Sequence, residues 1–364
     1  MSESPVLFRT EPTSSSHLIG VATLNRPKQL NALNLEMCEI VLAQFRGWAR
    51  DESVVCVVLE GAGDRGFCAG GDVAEAVRHL RGLTESSDGN RFAYGDTFFT
   101  VEYELDLLIH QYPKPFVALS HGVCMGGGLG LVAGASHRVF VEGSKIAMPE
   151  IHIGLFPDVG GGYFLNRAPT GVGQLMALTG LIITAEDAGY AGLADAVVTA
   201  AARIELFAAL CSGEWTHDAR RNRAVASAVL LDQSSRVNAA PSVLETHAAS
   251  LRALSVADDV ISYRDALQAL ASREPYFANA AKNLSQGSPT AAHVTFEYLR
   301  RTRGWGIVDV LALDLKLAKQ FQRHHDFSEG VRALLIDKDR APKWSPVQWQ
   351  EVSVELVAEH FLPI

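Results

Sequence analysis

The amino-acid sequence predicts an α/β fold whose C-terminal part is mainly helical. Two short apolar runs, 54–59 and 116–119, lack polar alternation, which is typical of parallel strands covered by helices on both faces. A glycine-rich turn follows each run, and strand and helix patterns alternate over about the first 200 residues. Beyond that point glycine becomes rarer and apolar residues recur at helical spacing. We therefore predict a core over residues 1–200 and a helical region over 201–364 that covers it.

The N-terminal elements follow from apolar periodicity and from capping residues. Residues 17–25 predict a first strand, which Arg26-Pro27 ends. Asn34 is placed to cap a helix that runs to about Arg50. The apolar residues of that helix recur at helical spacing: Cys38, Val41, Phe45 and Trp48. The strand 54–59 comes next and leads into the first glycine-rich turn.

The following elements are a loop, a helix and two strands. Residues 84–96 are polar and predict a surface loop, and the apolar spacing over 98–112 predicts a helix that Pro113 ends. The strand 116–119 precedes the second glycine-rich turn, which should open a helix of small residues. A third strand is predicted around residues 139–141.

Composition excludes several classes of protein. Of the 364 residues, 48% are apolar and 20% are charged, which is the composition of a globular chain. The net charge of −9 disfavours nucleic acid as a partner, because binding to a phosphate backbone usually requires a basic excess. No apolar run approaches the length of about 20 residues that a transmembrane helix needs, so we expect no membrane partner.

The five cysteines indicate a reducing compartment. Their number is odd, most lie in apolar runs, and the sequence contains no CxxC pair. The residues before His17 lack the basic and apolar regions of a secretory signal. We therefore expect reduced thiols, a cytoplasmic location and no zinc or other metal site.

The two glycine-rich turns could supply backbone hydrogen-bond donors. They contain Phe67-Cys68-Ala69-Gly70-Gly71-Asp72 and Met125-Gly126-Gly127-Gly128. Glycine lets backbone N–H groups approach a ligand, and a helix N-terminus adds free donors. Two N–H groups aimed at one carbonyl oxygen would form an oxyanion hole. Tight packing of a strand against a helix would require the same glycines, so the pattern alone leaves both interpretations open.

Two carboxylates follow the third predicted strand. Glu150 comes after Met148-Pro149 in an apolar segment, where burial would raise its pKa and suit it to act as base, acid or nucleophile. Asp158 comes eight residues later, shortly before a run of three glycines. The structural alternatives are a buried carboxylate satisfied by backbone N–H groups for Glu150 and a helix N-cap for Asp158.

Other motifs are weaker or absent. The sequence has neither the GxSxG of a serine nucleophile nor the GxxxxGK[ST] of a phosphate-binding loop. Residues 128–133 match a loose dinucleotide-binding pattern in the middle of the chain. The basic clusters 220–223 and 300–303 are interpreted as solvated faces, with contact to a ligand phosphate as the alternative. His324-His325 has no third ligand nearby in the sequence and favours a packing role.

Several motifs, taken in order, resemble the crotonase (enoyl-CoA hydratase/isomerase) superfamily. They are the two glycine-rich turns together with Leu24-Asn25-Arg26-Pro27, Asn31-Ala32-Leu33-Asn34, Lys114-Pro115 and Met148-Pro149-Glu150. Within the superfamily the chain is most similar to the 3-hydroxyisobutyryl-CoA hydrolase branch, through residues 148–167, 177–180 and 326–346. The resemblance implies a spiral of β-β-α units with a helical C-terminal region.

The resemblance also implies which residues form the site. The carbonyl oxygen of a coenzyme A thioester would lie between the backbone N–H groups of Ala69 and Gly127. Glu150 matches the catalytic glutamate of the superfamily, and Asp158 matches the aspartate specific to the hydrolases. Hydratases place a second glutamate where this chain has Gly130. The residues expected along the coenzyme A arm are Cys68, Gly70, Gly71, Asp72, Val73 and Gly126.

The resemblance therefore implies an enzyme that hydrolyses a short 3-hydroxyacyl-CoA thioester. The specific expectation is conversion of 3-hydroxyisobutyryl-CoA to 3-hydroxyisobutyrate and coenzyme A in valine catabolism. The alternatives are an enoyl-CoA isomerase or hydratase of fatty-acid oxidation and a non-catalytic acyl-CoA-binding protein. No cofactor is expected, because coenzyme A is part of the substrate. Family resemblance also implies a homo-oligomer such as a trimer or a hexamer.

Overall fold

Strands and helices share the first 200 residues and helices follow in the computed structural model, which describes residues 4–82, 90–235 and 240–364. The strands are β1 (Val6–Pro12), β2 (Leu18–Leu24), β3 (Val54–Gly61), β4 (Gly66–Cys68), β5 (Phe116–Ser120), β6 (Val123–Met125), β7 (His137–Val141), β8 (Lys145–Ala147) and β9 (Ala196–Val198). The helices in the first 200 residues are α1 (Leu35–Arg50), α2 (Val73–Leu80), α3 (Ala93–His110), α4 (Gly127–Gly134), α5 (Gly161–Phe164), α6 (Val172–Thr179) and α7 (Ala185–Tyr190). The helices that follow are α8 (Ala200–Cys211), α9 (Ala219–Ser234), α10 (Val243–Thr246), α11 (Ala248–Leu254), α12 (Val260–Ala271), α13 (Ala278–Gln286), α14 (Pro289–Thr302), α15 (Ile307–Phe321), α16 (His325–Val331) and α17 (Val354–Glu359).

The chain divides into two units that alternate along the sequence. Unit 1 comprises Met1–Gly71, Glu104–Ile146 and Ile183–Glu245. Unit 2 comprises Asp72–Tyr103, Ala147–Ile182 and Thr246–Ile364. A single division at residue 200, as the change in composition predicts, does not describe these units.

The main sheet belongs to unit 1 and has the strand order β1-β2-β3-β5-β7-β9. β1 pairs with β2 antiparallel, whereas each later pair in the sheet is parallel. The predicted strands 54–59, 116–119 and 139–141 are confirmed as parts of β3, β5 and β7. A second sheet has the order β4-β6-β8, and its first two strands each lead into a glycine-rich turn. The predicted α/β class is therefore confirmed.

Helix α1 forms as its sequence predicts. The Asn34 side chain caps it by accepting a hydrogen bond from the Met37 backbone N–H at 3.0 Å. The side chains of Cys38, Val41, Phe45 and Trp48 are buried, as expected from their helical spacing. Hydrogen bonding at the cap and burial of one apolar face therefore account for this helix.

Two sequence expectations need correction. The strand predicted over 17–25 forms, as β2, but it is not the first, because β1 precedes it. Four of the seven residues of β1 are polar or proline, so its sequence carries little apolar signal. The predicted loop over 84–96 is wrong at its C-terminal end, since α3 begins at Ala93. Residues 84–89 of that loop lie outside the described residues.

One apolar cluster explains why residues beyond 200 belong to unit 1. Side chains of α8 and α9, including Leu206, Leu210 and Leu230, pack with Val58 and Val139 of the main sheet. Burying such side chains contributes about 1.5–3 kcal/mol each, so these helices stabilise the face of the sheet that they cover. Residues 201–364 are mainly helical, as expected, but α8 and α9 belong to unit 1 together with the main sheet.

Unit 2 is mostly helical and has an aromatic core. Phe156 makes an edge-to-face contact with Tyr298 at 5.0 Å between ring centroids and stacks on Phe321 at 5.5 Å. Phe99 of α3 lies 6.3 Å from Phe327 of α16. Phe156 belongs to the segment that also carries Glu150 and Asp158, so this core fixes the backbone around both predicted carboxylates.

No helix in the described part of the chain combines the length and the apolarity needed to cross a bilayer.

Candidate active site

The two glycine-rich turns lie side by side in unit 1 because β4 and β6 are parallel neighbours. Parallel strands end at the same edge of a sheet, so each turn emerges next to the other. A Cβ atom on Gly70 would lie 3.5 Å from the backbone nitrogen of Gly127, and one on Gly128 would lie 2.4 Å from the Cys68 carbonyl oxygen. These distances leave no room for a side chain at Gly128, so glycine is required for the close approach.

The backbone donors in these turns differ from the predicted pair. The Gly127 N–H is the first of helix α4 and therefore has no acceptor within its own helix. The Ala69 N–H, in contrast, donates to the Leu30 carbonyl oxygen at 3.0 Å. Within the described residues the Gly71 N–H meets no acceptor. The prediction of Ala69 as a donor therefore needs correction, because its hydrogen is already engaged, whereas the Gly71 and Gly127 N–H groups have no acceptor among the described residues.

Glu150 lies in unit 2 at the first position of a short 3₁₀ helix, Glu150–Ile153, that follows β8. Its side chain is only 5% exposed, and the neighbouring Met148 and Ile151 are fully buried. Its Oε2 atom has no hydrogen-bond partner among the described residues. A buried carboxyl oxygen without a partner is costly, and this one is therefore a candidate to meet a substrate.

Asp158 lies on the turn that follows the 3₁₀ helix and is also 5% exposed. Tyr103 lies in α3, and its hydroxyl donates to the Oδ2 atom of Asp158 at 2.5 Å. The structural alternative, a helix N-cap, does not hold, because the residue before α5 is Gly160. Asp158 is instead a buried carboxylate oriented by a tyrosine.

The two carboxyls have raised pKa values. Burial raises the pKa of Asp158 to about 6, and the Tyr103 hydrogen bond opposes that rise by favouring the ionised form. Burial, together with the negative charge of Asp158, raises the pKa of Glu150 well above its usual value. The charge of Asp158 thus opposes ionisation of Glu150. Perturbed neighbouring carboxyls of this kind are typical of catalytic sites.

Sequence reasoning missed a third acid in this cluster. Glu102 of α3 is 2% exposed, and its Oε1 atom has no partner in the described part of the chain. Burial and the charge of Asp158 raise its pKa as well. One signal was available, because Glu102 lies four residues after Phe98 and three before Leu105, on the apolar face of the helix. An acid on that face is unusual enough to mark a candidate site.

The residues predicted to lie along the coenzyme A arm are divided between the two units. Cys68 is fully buried, so only its backbone could contact a ligand. Gly70, Gly71 and Gly126 lie in the two turns of unit 1, whereas Asp72 precedes α2 in unit 2 and Val73 begins that helix. Contact of these residues with coenzyme A stays a prediction.

The remaining motifs have structural roles. Arg300 and Arg301 both pair with Glu297, as expected for a solvated face. His324 stacks on His360 with 3.9 Å between ring centroids, which is a packing contact. No group of three or more His, Cys, Asp or Glu side chains within residues 4–82, 90–235 and 240–364 is arranged to hold a metal ion.

Comparison with known proteins gives one consistent family. The sequence profile of the family described as Enoyl-CoA hydratase/isomerase matches residues 19–361. The curated 3-hydroxyisobutyryl-CoA hydrolase, mitochondrial, of Gallus gallus is 36% identical over 349 residues, which are 95% of this chain and 86% of the relative.

Two solved structures are similar over nearly their whole length. A carnitinyl-CoA dehydratase from Mycobacterium thermoresistibile is 33% identical with a TM-score of 0.86 and covers 100% of this chain and 97% of its own. An enoyl-CoA hydratase from Rhodobacter sphaeroides 2.4.1 is 37% identical with a TM-score of 0.84 and covers 99% and 98%. These matches confirm the predicted fold, and the chain belongs to the enoyl-CoA hydratase/isomerase family.

Proposed function

We propose that this protein hydrolyses 3-hydroxyisobutyryl-CoA, or a close short 3-hydroxyacyl-CoA, to the free acid and coenzyme A. The observation that carries the proposal is the buried pair of Glu150 and Asp158, the latter oriented by Tyr103. The relative named 3-hydroxyisobutyryl-CoA hydrolase, 36% identical over 95% of this chain, supports the same substrate. Such a reaction would belong to valine breakdown and would need no cofactor.

The thioester carbonyl oxygen gains negative charge when its carbon is attacked. In our proposal the N–H groups of Gly71 and Gly127 donate to that oxygen, with Gly71 in the place first expected for Ala69. The Gly127 N–H also lies at the positive end of the α4 dipole, which favours a developing anion. Removal of one such donor typically reduces transition-state stabilisation by about 3–4 kcal/mol.

Glu150 is the group that we propose to act on the acyl carbon. In one route its carboxylate takes a proton from water, the water oxygen bonds to the acyl carbon, the C–S bond breaks, and the sulfur receives the proton. In the other route the carboxylate itself attacks to form an anhydride, which water then hydrolyses. Both routes give the same products and need Glu150 ionised. Its raised pKa makes it a stronger base than an ordinary carboxylate once it ionises.

The direct test is release of coenzyme A thiol, trapped with a chromogenic disulfide. We expect the purified protein to release thiol from 3-hydroxyisobutyryl-CoA with a kcat within the ordinary enzymatic range of about 1–10³ s⁻¹. 3-Hydroxypropionyl-CoA, which lacks only the methyl branch, serves as the second substrate. Absence of release from both compounds would contradict the proposed function.

A second candidate function is hydration of an enoyl-CoA, because both similar solved structures carry hydratase or dehydratase names. Addition of water to a double bond normally uses two carboxyls on opposite sides of the reaction. The position where hydratases place the second one is Gly130, a buried residue of α4 that has no side chain. We therefore expect crotonyl-CoA hydration, followed as loss of ultraviolet absorbance, to be at least about 10²-fold slower than thiol release. A faster hydration would favour the second candidate.

Loss of the Tyr103 hydroxyl should change the pH dependence of the reaction. The hydrogen bond from Tyr103 favours the ionised form of Asp158, so Tyr103→Phe should raise the pKa of Asp158 further. The acid limb of the kcat profile should then move to higher pH. Tyr112→Phe is the matched control, because the Tyr112 hydroxyl donates to the Phe45 carbonyl oxygen instead. Equal profiles for both variants would show that Tyr103 does not act on Asp158.

Compartment and assembly are further parts of the proposal. The five cysteines are free, and four of them are buried, which supports a reducing compartment such as the cytoplasm. The Gallus gallus relative carries the word mitochondrial in its name. We also propose a homo-oligomer on grounds of family resemblance, and light scattering of the purified protein measures it directly.

A further inference from the structure

The turn that carries Asp158 holds a strained residue. Val159 lies in the left-handed region at φ 51°, and Gly160 follows at φ 83°. A β-branched residue rarely adopts this conformation, because its side chain crowds the adjacent carbonyl group. Strain of this kind persists only where neighbouring groups hold the backbone in place.

Two buried side chains hold this turn through its backbone. The Gly160 N–H donates to Oδ2 of Asp314 on α15 at 2.8 Å. The Gly162 N–H donates to the hydroxyl of Tyr298 on α14 at 2.7 Å. That hydroxyl in turn donates to Oδ1 of Asp314 at 2.5 Å. We refer to Asp314 and Tyr298 together as the turn clamp.

Both oxygens of Asp314 are engaged in the clamp. Each oxygen of Asp314 accepts one bond, and the Tyr298 oxygen accepts one and donates one. Both side chains are completely buried, so water cannot replace these bonds. Burial raises the pKa of Asp314 well above its usual value; the bonds from Tyr298 and Gly160 oppose that rise, and the charge of Asp158 adds to it. Loss of any of these bonds would leave a buried polar group unsatisfied, which suits Asp314 and Tyr298 to hold a strained turn.

We propose that Asp314 and Tyr298 are positioning residues, which keep Val159 and Gly160 left-handed and thereby aim the Asp158 carboxylate. Residue Asp158 precedes the strained pair directly, so a relaxed turn would redirect its side chain. This inference rests on the proposed function, because Asp158 must act in the reaction for its direction to matter. Neither clamp residue belongs to a motif that the sequence marks, and they lie 140 and 156 residues after Asp158.

The first test is a pair of substitutions with a rescue. Asp314→Asn keeps the shape of the side chain but replaces one of its two oxygens with an amide nitrogen that can only donate. We expect kcat for thiol release to fall about 10²-fold with a smaller change in KM, as for a misplaced catalytic group. Adding Val159→Gly should restore about tenfold of that loss, because glycine adopts the left-handed conformation without a steric penalty.

Val159→Ala is the matched control for the rescue. It removes nearly the same apolar contacts as Val159→Gly but keeps the Cβ atom that opposes the left-handed conformation. Rescue by glycine and not by alanine supports control of the backbone. Equal rescue by both, or none, would overturn the proposal, since the strain would then play no part.

A second measurement does not depend on activity. Hydrogen exchange of the Gly160 and Gly162 amides, followed by mass spectrometry of the peptide that contains them, should accelerate in Asp314→Asn and in Tyr298→Phe. Asp187→Asn is the control, because Asp187 is a buried aspartate that also accepts from a hydroxyl, Ser242, and a backbone N–H, Leu244. It should lower stability and leave both kcat and the exchange of this peptide unchanged.

The outcomes separate this inference from the proposed function. If the unaltered protein releases no thiol, the proposed function is wrong. If amide exchange of the turn is also unchanged in Asp314→Asn, Asp314 does not hold the turn and this inference is wrong as well. If the unaltered protein is active and Asp314→Asn keeps its kcat while exchange accelerates, the clamp is structural only and the positioning role is overturned. Loss of kcat with accelerated exchange and selective glycine rescue supports the proposal.

Discussion

Glu150→Gln should lower kcat for thiol release about 10³-fold and, at neutral pH, leave the folded protein more stable than before. The first effect follows from the proposed role, because an amide can neither take a proton from water nor attack the acyl carbon. Glutamine has nearly the same shape, so the apolar contacts of Met148 and Ile151 should be kept. Thiol release and chemical denaturation measure the two effects.

The gain in stability follows from the direction of the pKa shift. The pKa of Glu150 is higher in the folded than in the unfolded protein, so the folded state binds more protons as pH rises past the usual glutamate range. The contribution of Glu150 to the free energy of unfolding is therefore fully present below its pKa in the unfolded protein, and it is lost as the pH rises towards its pKa in the folded protein. Glutamine does not titrate and removes this loss. Active-site groups commonly reduce stability in this way.

Glu329→Gln is the matched control in the same unit. Glu329 is also 5% exposed, but it pairs with Arg332 at 2.7 Å and with Arg81 at 3.3 Å, and the hydrogen bonds from Arg332 lower its pKa to about 2. Its stabilising contribution is present above the unfolded pKa and is lost as pH falls towards 2. We expect this variant to lose stability at neutral pH and to keep its kcat. If Glu150→Gln behaved in the same way, Glu150 would be a structural residue.

The main elements of the fold could be predicted because their signals are local. The apolar runs of β3 and β5 and the Asn34 cap of α1 each depend on residues adjacent in the chain. Strand β1 could not be predicted in the same way, because it forms by pairing with β2 and not from its own composition. The division into units also depends on long-range packing, as the contact of Leu206 with the sheet shows.

The carboxylates of the candidate site could be predicted, but their surroundings could not. Glu150 and Asp158 lie in a recognisable segment, whereas Tyr103, which orients Asp158, lies 55 residues earlier. The donor at Ala69 was wrong for a comparable reason, since only the folded chain brings the Leu30 carbonyl oxygen to its N–H. A residue's type indicates which chemistry it can perform, and its partners in space decide whether it is free to perform it.

Asp158→Asn should lower kcat/KM for 3-hydroxyisobutyryl-CoA about 10²- to 10⁴-fold while keeping the Tyr103 hydrogen bond, because an amide oxygen also accepts. The pKa of Asp158 is raised to about 6 from 3.8, so its ionisation lowers stability as pH rises through that interval. The variant should therefore be more stable above pH 6, by about 1–3 kcal/mol. Denaturation at pH 4 and pH 7 measures this difference, which should nearly vanish at the lower pH.

The same variant can separate two roles for Asp158, acceptance of a hydrogen bond from the substrate hydroxyl and orientation of Glu150 with its water. Isobutyryl-CoA lacks the hydroxyl and is otherwise the same acyl group, so it cannot make that bond. If Asp158 binds the hydroxyl, the unaltered protein should prefer the hydroxylated substrate by a large factor, and Asp158→Asn should reduce that preference. If Asp158 orients Glu150 and water, the variant should lose activity equally on both substrates. Equal activity of the variant and the unaltered protein on both substrates would exclude both roles. Asp158 would then be a structural residue that accepts the hydrogen bond of Tyr103 and takes no part in the reaction.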